Sequence, residues 1–185
     1  MKGFTREDQM FSLCGLNCGL CTMRLGGHCP GCGGGEGNQS CAIARCSIDH
    51  GGAAYCWQCR EFPCDRYRGD EEYDSFITHQ NRLRDMEKIQ RIGAEAYWEE
   101  QREKYGILQI LLNEYNDGRR KSLFSLAANL LELEDLREIL GRLSGETSGM
   151  PLRERAGCAA AMCREAAVRR GIDLRLRKRP GKAPK

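Results

Sequence analysis

Large apolar side chains are spread unevenly along this 185-residue chain. From Tyr73 they recur at helical spacing. Phe76, Leu83, Met86, Ile89, Ile92, Ala96 and Tyr97 fall three and four residues apart. Gly93 is expected to divide this run into two helices, the second ending near Gly106. Ile107 to Leu112 then begins another helix, stopped by the Asn116-Asp-Gly118 turn. Leu123, Phe124, Leu126, Ala127, Leu130 and Leu131 form the next apolar face, and Leu133, Leu136, Ile139, Leu140 and Leu143 one more. Ser144 to Pro151 reads as a linker. Leu152 to Arg170 reads as an alanine-rich helix ended by Gly171. Beyond it Ile172, Leu174 and Leu176 alternate with Asp173, Arg175 and Arg177, the pattern of a short half-buried or edge strand. Arg179 to Lys185 reads as an unstructured tail.

Upstream of Tyr73 the period is missing. Thr5-Arg-Glu-Asp8 can form a capped turn leading into the first cysteine. Residues 14–64 hold only nine Leu, Ile, Met, Phe, Tyr or Trp, against eleven glycines and ten cysteines. So little hydrocarbon cannot offset the backbone entropy of an ordered segment, and a cross-link must do it. One helical turn is expected near Cys41–Cys46, and Gly33 to Asn38 reads as a loop between two cysteine groups. The fold class expected is mainly α. A small irregular cysteine-rich zinc module (1–70) precedes a helical region (71–149). A C-terminal helix, a short strand and a basic tail (150–185) complete the chain.

Charge sharpens the division. Residues 1–70 are formally neutral, 71–163 carry −4, and 164–185 carry +7. The basic character therefore belongs to the C-terminal end. Nucleic-acid contact is expected, if anywhere, through that tail, and Gly118-Arg-Arg-Lys121 reads as a solvated helix start. No apolar run approaches the roughly 20 residues of a membrane span. Nor does the start of the chain carry the apolar run of a secretory signal. The expected location is cytoplasmic. Thiols stay reduced there, so twelve cysteines point to metal before disulfides.

Three CxxC pairs carry the chemistry: Cys18/Cys21, Cys29/Cys32 and Cys56/Cys59. Two intervening residues let both sulfurs converge on one ion. Cys29-Pro-Gly-Cys-Gly33 is the best zinc knuckle, its proline setting the turn and its glycines allowing close approach. Proximity along the chain groups Cys14, Cys18, Cys21, Cys29 and Cys32, and then Cys41, Cys46, Cys56, Cys59 and Cys64. Each group offers five sulfurs for the four positions of a tetrahedral Zn²⁺, so two zinc ions are expected, with one thiol of each group spare or bridging. His28 and His50 read as polar loop residues that could replace a cysteine, and Trp57 as a packing residue.

An iron–sulfur cluster is the alternative cofactor, since clusters also take four thiolates. The Cys14–Cys18–Cys21 spacing matches radical-SAM enzymes, but the barrel they need has no counterpart in the apolar pattern. A spare cysteine beside a metal is the one candidate for thiol redox chemistry. Cys158 and Cys163, five apart on a helix, lie about 140° apart and read as small apolar residues. The chain has no nucleophile elbow and no P-loop, and a closed four-cysteine site leaves no position for water. A binding module with a protein partner is the reading preferred over an enzyme.

Cys14-Gly-Leu-Asn-Cys-Gly-Leu-Cys21, Cys29-Pro-Gly-Cys32, Ala44-Arg-Cys46, Tyr55-Cys-Trp-Gln-Cys59 and Glu61-Phe-Pro-Cys64 together resemble the cysteine-rich domain of unknown function family 3795, to which zinc binding is ascribed. Ile92-Gly-Ala-Glu-Ala, with Glu99-Glu-Gln101, is similar to the stretch after the cysteines in that family. The resemblance covers roughly residues 10–105. It implies a prokaryotic protein with metal ligands at the ten cysteines, and it implies no activity.

Overall fold

The computed structural model describes residues 3–35, 41–69 and 72–179. The far part of the loop expected at 33–38, and the tail from residue 180, lie outside the described residues. The chain is mainly helical, with a cysteine-rich N-terminal region followed by helices. It divides into two compact units, residues 1–87 with 176–185, and residues 88–175.

The first unit is built from turns. Its described helices are α1 (Thr22–Leu25), α2 (Ala42–Asp49) and the opening of α3 (Arg82–Ile92). Three-residue 3₁₀ turns cover Cys18–Leu20, Cys56–Gln58 and Asp65–Tyr67. Phe4, Leu13, Ile43 and Ala44 form a small apolar cluster with Cys14, Cys32 and Cys56 packed against it, and Phe11, Leu20, Tyr67, Ile77 and Met86 are also buried in this unit. Phe76, read above as the start of a helical face, is instead 68% exposed in the loop ahead of α3. The helix begins only at Arg82, after Thr78 and Asn81 have turned inward.

The second unit holds α4 (Ala94–Glu114), α5 (Lys121–Leu130), α6 (Leu133–Glu146) and α7 (Leu152–Arg169). Helix α4 packs on α5 and α6, and α7 packs on the same two. Gly93, at φ +87, breaks α3 from α4 as the sequence indicates. Gly106 does not end a helix: α4 runs through it for 21 residues. Tyr97, Lys104, Leu108 and Leu111 keep one buried face in register across that glycine. A helix-interior glycine costs about 1 kcal/mol, less than the roughly 1.5–3 kcal/mol that burying one leucine contributes. The stop comes at the expected turn, where Asn116 Oδ1 accepts from Gly118 N and Arg120 N, both at 3.1 Å.

Polar groups in this unit are matched to helix ends. Lys104 Nζ donates to Leu131 O at 2.7 Å, capping α5. Glu132 N donates to Asp135 Oδ2 at 3.2 Å in the capping box that opens α6. Asp135 also receives Arg170 through two bonds of 2.9 and 3.1 Å. Helix α7 turns Ala156, Ala159, Ala160, Cys163, Ala166 and Ala167 inward. Cys163 is fully buried and its thiol is pushed up to about 12 by that burial, whereas Cys158 is half-buried.

The alternation from Ile172 to Arg177 is not a strand among the described residues. A strand needs a ladder partner, and this stretch is engaged by one aspartate instead. Arg177 N donates to Asp74 Oδ2 at 2.7 Å, and Asp74 N donates to Arg177 O at 2.8 Å. Residues 176–179 are thereby held in the first unit, although they come after α7 in sequence.

Candidate metal centre

The first cysteine turn is shaped by Ser12 and Gly15. Ser12 Oγ accepts from Leu16 N at 2.7 Å and lies 3.3 Å from Cys14 Sγ. Gly15 has φ +94, and a Cβ there would stand 2.8 Å from Met86 Cγ and 2.9 Å from Arg82 O. The Cys14 turn thus lies directly on the opening of α3. Cys18 and Cys21 flank one 3₁₀ turn, joined by Cys21 N donating to Cys18 O at 3.1 Å. In the Cys29-Pro-Gly-Cys32 knuckle, Gly31 takes φ +90 and its N–H points at Cys29 Sγ at 3.5 Å. Backbone N–H groups turned toward sulfur suit a thiolate, which accepts them well.

The third CxxC, Cys56/Cys59, repeats the design of the first. Cys59 N donates to Cys56 O at 2.9 Å, and Gln58 Oε1 accepts from Tyr55 N at 3.0 Å. Cys56 N donates to Leu13 O at 2.9 Å, which ties this turn to the residue before Cys14. Cys64 is followed directly by the turn Asp65–Tyr67. Tyr67 is buried, its hydroxyl donating to Cys14 O at 3.4 Å, with the Arg82 guanidinium 4.6 Å above its ring.

Burial pushes the Cys14 thiol up, while the Arg82 charge and the Ser12 hydrogen bond pull it back. Cys18 is raised by burial and then by charge at Cys14, Cys32 and Cys21. Cys56 is pushed up to about 12 by burial first; Tyr67 opposes this, and charge at Cys14, Cys64 and Cys46 adds to it. Thiols so placed stay protonated near neutral pH unless a cation joins them. The thiols acting on Cys18 form one set, Cys14, Cys21 and Cys32, and those acting on Cys56 a second, Cys14, Cys46 and Cys64. Cys14 belongs to both, and Cys41, exposed at the start of α2, acts on Cys14.

A cavity of about 370 Å³ lies against Cys56. Cys46, Cys56, Cys59, Cys64, His50 and Tyr67 are among its lining residues, with Leu13 and Ile43 from the apolar cluster. Arg60, Glu61 and Arg66 line it too and are exposed. Thiols and imidazole are donor types that zinc takes, and thiolates hold iron–sulfur clusters. Among the described residues no three Cys, His, Asp or Glu side chains stand together as a formed metal site.

Sequence reasoning did not single out Tyr67 or Arg82, because no spacing marks a buried residue contributed from outside the cysteine run. His50, read as a polar loop residue, directly follows α2 in the cavity wall. Its signal was the four-residue step from Cys46. His28 does not line the cavity, and Trp57 stacks on Tyr55 with ring centroids 6.2 Å apart. No described helix is long and apolar enough to cross a membrane. Comparison with family models, curated proteins and solved structures gives no match for this chain.

Proposed function

We propose that the first unit is a structural zinc module whose folded surface serves a protein partner. The observation that carries this reading is four cysteines lining one cavity in a unit built mostly from turns. Short irregular turns gain most from a cross-link, and structural zinc supplies about 10 kcal/mol or more per site. Two ions would be held by the ten cysteines at 14, 18, 21, 29, 32, 41, 46, 56, 59 and 64. The bound ion would act as a cross-link, fixing loops that hydrophobic burial cannot fix. Ser12, Gly31 N–H and Tyr67 would orient the sulfurs.

A thiol-redox role through a spare Cys14 or Cys64 is favoured less, because burial pushes the Cys14 thiol up, away from the thiolate form that reacts. Nucleic-acid binding through the basic end is also weaker, since Arg169, Arg170 and Arg177 are engaged by Glu138, Asp135 and Asp74. Native mass spectrometry and an absorption spectrum of anaerobically purified protein test the proposal. Two zinc ions and no visible absorption are expected. Iron with labile sulfide and a broad visible band would replace zinc by an iron–sulfur cluster, and a metal-free folded protein would overturn the reading. Partner binding is checked afterwards: capture that survives zinc removal would detach the surface from the metal.

A further inference from the structure

The C-terminal segment and the stretch it lies against are opposite in charge. Asp70, Glu71, Glu72 and Asp74 put four acids in five residues, and Arg175, Arg177, Lys178 and Arg179 put four bases in five. Where the two meet, the segment is held by its backbone and by its side chains together. Arg177 N donates to Asp74 Oδ2 at 2.7 Å, and Asp74 N donates to Arg177 O at 2.8 Å. Arg177 Nη2 adds a bond to Asp74 Oδ1 at 3.2 Å. Two residues on, the Arg179 guanidinium stands 5.8 Å from the centroid of the Tyr73 ring. A paired backbone, one arginine on a carboxylate and another on an aromatic face are the devices by which a domain holds an extended peptide. The Asp74 side chain is fully buried, whereas Arg177 is 39% exposed and Lys178 and Arg179 are exposed. The receiving side is therefore fixed, and the segment is held by contacts that water screens.

We infer that Tyr73 and Asp74 form a docking site for an extended peptide of sequence Arg-x-Arg, occupied by the chain's own Arg177 and Arg179 as an internal competitor. A partner carrying that sequence binds by displacing residues 176–179. The inference names the chemistry of the partner proposed for the first unit; it rests on that partner reading and not on the metal. Tethering gives the internal segment an effective concentration on the order of millimolar, so a separate peptide competes only at a comparable concentration.

The test uses the full chain and a synthetic peptide of residues 174–179. In the wild-type chain, hydrogen exchange at the Arg177 amide should quicken at least about tenfold as the peptide is raised to about 10 mM. The Asp74 amide should keep its protection, because the peptide pairs with it in the same way. Arg177→Pro removes the amide donor and the guanidinium of the internal segment and leaves Tyr73 and Asp74 in place. That chain should bind the labelled peptide at least about tenfold more tightly than wild type. A peptide with lysine at the positions of Arg177 and Arg179 keeps the charge but not the planar fork, and should bind at least about tenfold more weakly. Unchanged exchange at the wild-type Arg177 amide overturns the inference whether or not Arg177→Pro folds, and so does equal binding of the lysine peptide. Metal content is measured on the same sample. Two zinc ions without peptide binding overturn this inference and leave the zinc module standing; a metal-free chain that takes the peptide does the reverse.

Discussion

Asp74 fastens the C-terminal segment to the first unit, and its removal should be measurable residue by residue. The carboxylate is fully buried, while Arg177 is 39% exposed. It accepts from His79 N and Arg177 N, each at 2.7 Å, and from Arg177 Nη2 at 3.2 Å. Asp74→Ala strands two backbone donors, each worth about 1–3 kcal/mol when buried without a partner. Water reaching the exposed side of Arg177 relieves part of that, so a local loss of about 2 kcal/mol is expected. That corresponds to amide exchange about 30-fold faster at Arg177 and His79. Asp74→Asn keeps one acceptor oxygen and should lose about half as much free energy. Hydrogen exchange read by NMR or mass spectrometry, corrected for intrinsic rates, is the assay. Exchange at both amides within threefold of wild type in Asp74→Ala would refute the reasoning.

The same site has a defined pH response. Burial pushes the Asp74 carboxyl up, but the N–H groups of His79 and Arg177 and the Arg177 guanidinium outweigh it and hold it below 3.8. The folded chain thus binds this proton more weakly than the unfolded chain. Its contribution is complete above the unfolded value and is lost as pH falls through the folded one. Protection of the Arg177 amide should therefore hold at neutral pH and fade only below about pH 4.

Gly15→Ala should destabilise the first unit by about 2 kcal/mol or more, because φ +94 is strained for alanine and its Cβ would meet Arg82 O at 2.9 Å. Gly27→Ala, at φ +72 with no neighbouring atom within 4 Å, should show the backbone penalty alone, about 1 kcal/mol, in the same denaturation assay. Lys104→Met leaves the Leu131 carbonyl without its 2.7 Å donor and should lower the stability of the helical unit by about 1–3 kcal/mol, read as a reduced urea midpoint by circular dichroism. Exposure to a strong chelator should unfold the cysteine-bearing unit while most helical circular dichroism survives, because the second unit has its own leucine core; parallel loss of both signals would contradict this.

Periodicity is a local property, and it located most of the buried helical faces though not every helix boundary. Leu108, Leu111, Leu136, Ile139 and Leu143 announced their buried faces because a helix repeats every 3.6 residues whatever it packs against. The cysteine spacing likewise announced an irregular region, since so few apolar residues cannot form a core of ordinary size. Gly106 shows where local reading stops. A glycine is a weak breaker, and only the shared buried face of α4 on both sides of it decides that the helix continues. The alternating apolar residues after Gly171 pointed to a strand, but a strand exists only where a second backbone pairs with it, and Asp74 took the amide instead. Placement of single side chains was beyond the sequence for the same reason. Arg82 over Tyr67, and Cys46, His50, Cys56, Cys59 and Cys64 around one cavity, are juxtapositions made by chain reversals. Spacing along the chain carries no term for them, and three-dimensional contact does.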